Sequence, residues 1–343
     1  MSKQLQIALV NLGDKVDPWL LRYSEYLLKL CTLFDFDFTI ICDNRTNEEM
    51  LRKLGFNTFL YVRNSAISQL FNESRSLRDD FRNNFWFYTL ERLLCLQQFH
   101  AAQPDIPLLH LENDSFIFPY FPFRNFIELE RISWLMSSEN NDCAAIFSSP
   151  NLLQTQWFCS MAIKLLQINP MHTDMTLLHD LRRANPQRIQ VLPSITRIMC
   201  NTEFKSSDMV LNESSIFKGI FDPGLIGIWI SGEDPRNTGG KILRGRKTYN
   251  FFGSLQWNML SLKDSTLFID NKPIYSLHVH SKDRNLLSND WQARLTFLLD
   301  RKSDGFSFWG YRRAQVDLFT SLDRSFVRYI YVKSRLYKVI KFF

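Results

Sequence analysis

The sequence predicts an α/β fold, a mostly parallel β-sheet with helices on both faces. Short apolar runs alternate with amphipathic stretches from the first residues onward, and polar residues follow the runs where strands are expected to end. The composition agrees, because 45% hydrophobic and 22% charged residues are typical of a packed globular protein. A chain of 343 residues is long enough for one large domain with an appended segment.

Five elements alternate at the start of the chain. Apolar runs at 6–10, 36–42 and 58–62 predict strands, and the stretches 18–33 and 46–54 between them predict helices. Strands connected through helices pair in parallel by right-handed crossovers. The carboxyl edge of such a sheet is where open α/β folds bind ligands.

The alternation continues along the chain without a repeat or a low-complexity linker, which favours one continuous fold. The patterns predict helices at 85–99, 152–167 and 174–184, and strands at 107–111 and 275–280. Six of the 12 glycines lie within 216–240. A surface loop and a functional segment both remain possible interpretations of that concentration.

The positive charge is concentrated at the carboxyl terminus. The net charge is +6, and six basic residues with no acidic one lie within 324–343, so the remainder is balanced. That balance excludes nucleic acid as a partner of the body. Apolar residues recur in the tail at helical spacing, so 326–343 either contacts an anionic membrane surface peripherally or packs against the body. Six cysteines without a C-x-x-C pair, and no signal peptide, predict reduced thiols in a cytoplasmic protein.

The first candidate site is the acidic triplet Glu112-Asn113-Asp114, directly after the strand predicted at 107–111. Two carboxylates at the carboxyl edge of a sheet repel each other unless a divalent cation neutralises them. The alternative is a solvated turn.

The second candidate is the predicted strand that contains His278 and His280, with Lys282 beyond. Residues two apart on a strand face the same side, so both imidazoles and the lysine are predicted to share one space. Imidazole binds manganese and similar metals, and lysine attracts phosphate. The alternative is an edge strand with structural histidines.

The third candidate is Gly232-Glu233-Asp234, in the glycine-bearing segment. Glycine allows close backbone approach, and either acid could serve as a general base. A surface loop is the alternative. The sequence contains no G-x-G-x-x-G, G-x-S-x-G or H-E-x-x-H motif, and Arg246 stands where a phosphate-binding loop requires lysine.

Taken in order, these segments resemble a GT-A-fold glycosyltransferase of a poorly characterised bacterial or viral type. The resemblance covers roughly residues 5–285. It rests first on an N-terminal β-α-β unit ending in Asp43 and on the acidic triplet, with Glu112 in place of the commoner first aspartate. The segments 85–92 and 221–237 are also similar to such enzymes. So is the order in which Gly232-Glu233-Asp234 precedes His280-Ser281-Lys282-Asp283.

The resemblance implies a Rossmann-like nucleotide-sugar half at 1–115, an acceptor and metal half at 116–285, and a helical extension with a basic amphipathic tail at 286–343. It implies a hexosyltransferase-like enzyme of polysaccharide biosynthesis, dependent on Mn²⁺ or Mg²⁺. The donor is a nucleotide-diphosphate sugar, with UDP-sugar expected, and the acceptor is a glycan or a lipid-linked glycan. The expected location is cytoplasmic, with peripheral contact at the inner membrane face.

The resemblance also assigns roles to residues. Asp234 is the expected catalytic base with Glu233 as second candidate, and the metal ligands are Asp114, His280 and His278, with His280 preferred. The expected donor-binding residues are Asn11, Asp43, Arg92, Glu112, Asn113 and Lys282. The rival functions are a metal-dependent hydrolase and a non-catalytic nucleotide- or carbohydrate-binding protein.

Overall fold

The structure is a computed structural model, and it describes residues 5–65, 67–70, 73, 85–197, 209–211, 216–234, 243–245, 255 and 257–301. The basic tail at 326–343 and residues 235–242 lie outside the described residues. No helix in the described part of the chain has the length and apolar character needed to cross a bilayer.

The described residues form fourteen strands and nine α-helices. The strands are β1 Gln6–Asn11, β2 Asp37–Cys42, β3 Asn57–Leu60, β4 Leu108–Leu111, β5 Ser115–Ile117, β6 Ile132–Ser138, β7 Asn141–Ser149, β8 Ile189–Val191, β9 Ile195–Arg197, β10 Met209–Leu211, β11 Ile220–Phe221, β12 Leu260–Lys263, β13 Thr266–Ile269 and β14 Lys272–His278. The helices are α1 Pro18–Phe34, α2 Arg45–Lys53, α3 Phe85–Leu94, α4 Leu96–His100, α5 Phe123–Ile127, α6 Leu152–Ile168, α7 Asp174–Ala184, α8 Leu225–Ser231 and α9 Trp291–Arg301.

Nine of the strands form one large mixed sheet, in the order β10-β9-β6-β7-β4-β1-β2-β3 with β8 beside β6. Strands β4, β1, β2 and β3 are mutually parallel, whereas β7 is antiparallel to β4 and β6 is antiparallel to β7. The predicted α/β class and the parallel N-terminal unit are confirmed. The antiparallel strands were not predicted from the sequence.

A second sheet of five strands has β14 at its centre, paired with β5 and β13 in antiparallel fashion and with β11 in parallel. Only three residues separate β4 of the large sheet from β5 of the small one. Those residues are the acidic triplet, so the triplet lies where the two sheets meet.

Two hydrophobic clusters cover the two faces of the large sheet. Strand β1 alternates between them: Ile7 and Leu9 face the cluster that includes α1 and the small sheet, and Ala8 and Val10 face the cluster that includes α3, α6 and α7. This period of two is expected of a central strand covered on both sides. Helices therefore cover both faces, as predicted.

Two predicted elements differ from the structure. The helix predicted at 85–99 is divided into α3 and α4, with Cys95 between them. The strand predicted at 275–280 begins earlier and ends at His278, so His280 lies in the turn that follows. The alternation of side chains expected for a strand does not extend to His280 for that reason.

Candidate active site

Three buried side chains from the two sheets converge at the acidic triplet. Glu112, Asp114 and His278 each offer one ligand atom, and these three atoms lie within 4.8 Å of one another. Nε2 of His278 is 3.1 Å from Oε2 of Glu112 and 3.4 Å from Oδ1 of Asp114. In the described part of the chain, these are the acidic, histidine or cysteine side chains that lie close enough together, as a group of three, to hold one metal ion.

The backbone fixes the two acids to different sheets. The amide of Glu112 donates to the carbonyl of Ala145 in β7 (3.0 Å), which continues the ladder of the large sheet. The carbonyl of Asp114 accepts from the amide of Val279 (2.7 Å), just beyond β14. A further bond from the Ser115 amide to the Glu112 carbonyl (3.0 Å) closes the turn. The carboxylates are therefore directed by paired backbone and not by a free loop.

In each carboxylate, one oxygen pairs with a positively charged side chain and the other is directed at the imidazole of His278. Oε1 of Glu112 pairs with the guanidinium of Arg92, and Oδ2 of Asp114 pairs with the ammonium of Lys282. Burial alone would raise the pKa of Glu112, but the charge of Arg92 and the hydrogen bond with His278 outweigh burial and hold that pKa well below its usual range. Glu112 is therefore ionised at neutral pH.

The imidazole of His278 has a partner on each nitrogen. Its Nδ1 lies 3.9 Å from the thiol sulfur of Cys143 in β7, on the side away from the carboxylates. Burial disfavours the charged imidazole, but the interactions with Cys143 and Glu112 outweigh burial and raise the pKa of His278 well above its ordinary value. Burial raises the pKa of the Cys143 thiol, so that group is a neutral hydrogen-bonding partner.

The backbone of His278 is fixed by the buried carboxylate of Asp222. Oδ2 of Asp222 accepts from the amides of Gly227 (2.6 Å) and His278 (3.1 Å), and its Oδ1 accepts from those of Gly224 and Ile226 (both 2.9 Å). Asp222 therefore joins the first turn of α8 to the end of β14. Gly227 allows the approach, because a Cβ there would lie 2.1 Å from the carbonyl oxygen of His278.

His280 lies beside the cluster and not within it. Its ring centroid is 4.3 Å from that of His278, and the group of three does not include it. Burial and then the charge of His278 lower the pKa of His280 to about 3, and Asp234 is close enough to oppose that shift electrostatically. Glu233 and Asp234 are both buried at the end of α8. Asp234 therefore lies within electrostatic range of His280.

The remaining predicted donor-binding residues line the carboxyl edge of the parallel strands. Asn113 donates to the carbonyl of Val10 (2.9 Å), and Asn11 donates to that of Lys15 (3.3 Å). The carboxylate of Asp43 accepts from the amide of Gly13 (2.8 Å), which connects the loops that follow β1 and β2.

A cavity of about 300 Å³ opens at the same edge, at the carboxyl ends of β2 and β3. Two strand spacings separate β2 from β4, so the near side of the cavity lies about 10 Å from the strand that ends at the acidic triplet. It combines charged and apolar groups, and its lining residues are Asp43, Arg45, Leu60, Tyr61, Val62 and Arg63.

The chemistry of the three ligand atoms suits a hard or borderline divalent cation. Two carboxylate oxygens and one imidazole nitrogen are a donor set that Mn²⁺ and similar ions accept. Three protein ligands leave positions open, which suits an ion that also binds substrate phosphates. The residues that would hold it are Glu112, Asp114 and His278. The sequence predicts Asp114, His278 and His280 as ligands and leaves open whether Glu112, predicted as a donor contact, also touches the metal.

Three residues in contact with this site were not singled out from the sequence. Asp174, at the start of α7, lies 3.4 Å from Arg92, Cys143 contacts His278, and Asp222 fixes the backbone of His278. Asp222-Pro223-Gly224 before an apolar helix carried a usable signal, because aspartate commonly caps a helix. Cys143 and Asp174 carried none, since the pairing of β7 with β4 brings the first here and the packing of α7 brings the second.

No protein-family model and no curated protein matches the chain. Among solved structures, a glycosyltransferase involved in the glycosylation of the major capsid of PBCV-1 aligns with 55% of this chain and 80% of its own, at 12% identity and a TM-score of 0.33. Mouse xyloside xylosyltransferase 1 aligns with 58% of this chain and 87% of its own, at 10% identity and a TM-score of 0.34. An inositol-1-phosphate CTP transferase from T. maritima aligns with 55% and 85%, at 10% identity and a TM-score of 0.31.

Proposed function

We propose that this chain is a divalent-metal-dependent glycosyltransferase that moves a sugar from a nucleotide-diphosphate donor to a glycan or lipid-linked acceptor. The observation that carries the proposal is the convergence of Glu112, Asp114 and His278 at the carboxyl edge of a parallel sheet. That edge also holds a cavity and a lysine, so a cation, a phosphate-binding group and space for a nucleoside occur together.

The donor is expected to lie along the edge from the cavity to the cluster. A nucleoside in the cavity would contact Asp43, and its diphosphate would extend toward Asp114 and Lys282. A separation of about 10 Å between the near side of the cavity and the strand that ends at the acidic triplet suits that arrangement. Mn²⁺ or Mg²⁺ is the expected ion, and UDP is the expected nucleotide.

Breaking the bond between sugar and diphosphate leaves negative charge on the leaving group. A bound divalent cation supplies positive charge that offsets it. Lys282 supplies a second positive charge, and it can move from Asp114 to a phosphate oxygen because a lysine side chain is long and flexible. The partly buried position of Asp114 and Lys282 strengthens these interactions relative to those in water.

The acceptor hydroxyl is activated by Asp234 if the anomeric centre is inverted. Asp234 is buried near the histidine pair, so a proton taken from the hydroxyl stays inside the site. Glu233 is the second candidate. In a retaining reaction neither acid is required as a base.

The two rival functions differ in what they release. A metal-dependent hydrolase would free sugar or phosphate at a rate independent of acceptor, and a binding protein would hold nucleotide without turnover. Both predict no acceptor-dependent release of nucleoside diphosphate. The transferase predicts that release, together with a sugar attached to the acceptor.

The decisive experiment is a donor screen. The purified protein is incubated with Mn²⁺ and a panel of nucleotide sugars, with and without mixed glycan acceptors, and free nucleoside diphosphate is measured. Asp114→Asn is the test variant, and Asp105→Asn, an exposed acid remote from the cluster, is the matched control. We expect a loss of about 10³-fold in Asp114→Asn alone. Equal turnover of both variants would contradict the metal assignment.

A further inference from the structure

Arg92 lies between two buried acids from different parts of the chain. It projects from α3, and its terminal nitrogen Nη2 contacts both Oε1 of Glu112 and, at 3.4 Å, Oδ2 of Asp174 in α7. The side chains of Glu112 and Asp174 are about nine-tenths buried, and that of Arg92 is 16% exposed. Two carboxylates therefore share one guanidinium inside the protein.

The contact with Glu112 determines which oxygen faces the cluster. Oε1 is occupied by Arg92, so Oε2 is the oxygen left at 3.1 Å from Nε2 of His278. Without the guanidinium, the carboxylate would lose its partner on that side and could rotate. A charged hydrogen bond to one carboxylate oxygen favours an orientation that a hydrophobic neighbour cannot supply.

Asp174 holds the other side of Arg92. Its Oδ1 accepts from the Met175 amide (3.0 Å) at the start of α7, where an acid interacts favourably with the helix. Burial raises the pKa of Asp174, and the charge of Arg92 opposes that shift. The ionised aspartate is therefore stabilised by the guanidinium that it anchors.

The rest of the guanidinium is turned toward the interior. Nε of Arg92 is buried and has no hydrogen-bond partner among the described residues, and the same holds for Nε2 of His110 in β4. Burial and then the charge of Arg92 lower the pKa of His110 to about 3. The contacts of Nη2 with Glu112 and Asp174 occupy the guanidinium inside the protein, which disfavours a contact with a substrate phosphate.

We infer that Arg92 is a positioning residue, anchored by Asp174, that holds Glu112 with one oxygen toward His278. This inference rests on the metal site of the proposed function. It replaces the donor-binding role that the sequence suggested for Arg92, and it adds Asp174 to the residues on which metal affinity depends.

The test measures Mn²⁺ affinity and donor KM separately in Arg92→Gln, Arg92→Lys and Asp174→Asn. Loss of a residue that orients a ligand costs about 10- to 100-fold in metal affinity. We expect that loss in Arg92→Gln and a smaller one in Arg92→Lys, with donor KM near normal at saturating Mn²⁺. Unchanged Mn²⁺ affinity with a raised donor KM would overturn the inference and restore the donor-binding role.

A double-variant cycle tests the anchor. If Asp174 acts through Arg92, Asp174→Asn weakens Mn²⁺ binding in the wild-type background and has no further effect beside Arg92→Gln. Additive losses would show that Asp174 acts independently. Asp180→Asn is the control, because it changes a half-exposed acid of the same helix, α7, which is not in contact with Arg92.

Thermal denaturation without metal tests the role of Arg92 even if the proposed function is wrong. Arg92→Gln removes one of the two positive partners of the buried Glu112 carboxylate, so Tm should fall, and adding Glu112→Gln should restore part of the lost Tm. If the wild-type protein binds no Mn²⁺, the metal assignment fails, and this cycle alone decides whether Arg92 holds Glu112. No recovery of Tm in the double variant would overturn the inference.

Discussion

Gly227→Ala should displace α8 from β14 and so disturb the position of His278 in the candidate metal site. A Cβ at position 227 would lie 2.1 Å from the carbonyl oxygen of His278 and 2.8 Å from Oδ2 of Asp222. Carbon contacts are comfortable at about 3.5 Å, so α8 must move from β14 by more than about 1 Å. The atoms in the way are mostly backbone and cannot rotate aside. The shift lengthens the bonds by which Asp222 joins Gly227 to His278.

The expected magnitude follows from these contacts. Overpacking costs about 1–3 kcal/mol, and weakening a buried bond to a carboxylate costs about 1.5–3 kcal/mol more. The substitution also stabilises α8 by about 1 kcal/mol, because alanine has a higher helix propensity than glycine. We therefore expect the free energy of unfolding to fall by about 1.5–5 kcal/mol and Mn²⁺ affinity to fall by about 10-fold or more.

The assay pairs urea denaturation with a Mn²⁺ titration. Gly55→Ala is the control: its φ of +90° makes alanine costly, by about 1–2 kcal/mol, but nothing lies within 4 Å of the added carbon. It should lose stability without losing Mn²⁺ affinity. Wild-type stability and affinity in Gly227→Ala would refute the account of how α8 holds His278.

Three further predictions concern single side chains. His278→Ala should weaken Mn²⁺ binding more than His280→Ala, because only the first supplies an atom to the cluster, and titration of both variants measures the order. Asp234→Asn should lower transfer by about 10²–10⁴-fold with little change in donor affinity, as seen in kcat and KM, if the reaction inverts. Burial lowers the pKa of His100 below its ordinary value, so its neutral form stabilises the protein above about pH 6.5, and that contribution is lost as pH falls. His100→Gln should reduce the fall of Tm between pH 7.5 and 5.5, since glutamine does not titrate.

Each of these predictions has a contrary outcome. A larger effect at His280 would restore it as the preferred ligand. An unchanged rate in Asp234→Asn would leave Glu233 as the base or favour a retaining reaction. For His100, the relevant comparison is the pH slope of Tm and not Tm itself, because the substitution also removes bonds to Thr155 and Ile106. An identical slope in variant and wild type would contradict the assignment.

The N-terminal unit and the position of the acidic triplet could be predicted because they depend on local pattern. A buried strand followed by Glu112-Asn113-Asp114 specifies where the carboxylates lie, whatever the rest of the fold does. The pairing of β14 with β5 brings His278 to these carboxylates. It joins segments about 160 residues apart, and no local sequence pattern indicates it.

The choice between the two histidines could not be predicted for a related reason. On a continued strand His278 and His280 would face the same side and be equivalent. The strand ends at His278 and the following residues turn, with Lys282 at φ +55°. The contact that holds the amide of His278 comes from Asp222, in the loop before α8 and 56 residues away in the chain, so local pattern does not indicate it.

The meeting of two sheets at the acidic triplet has a consequence for how the protein unfolds. Glu112 is bonded to β7 in one sheet and Asp114 to the end of β14 in the other, although they are two residues apart. A cation held by Glu112, Asp114 and His278 must lose at least one ligand before β4 and β14 can separate, because His278 belongs to β14. At 100 times its Kd such an ion adds about 2.7 kcal/mol to stability. Amides of β4 and β14 should then exchange with solvent as one cooperative unit in the presence of Mn²⁺, and independently in its absence.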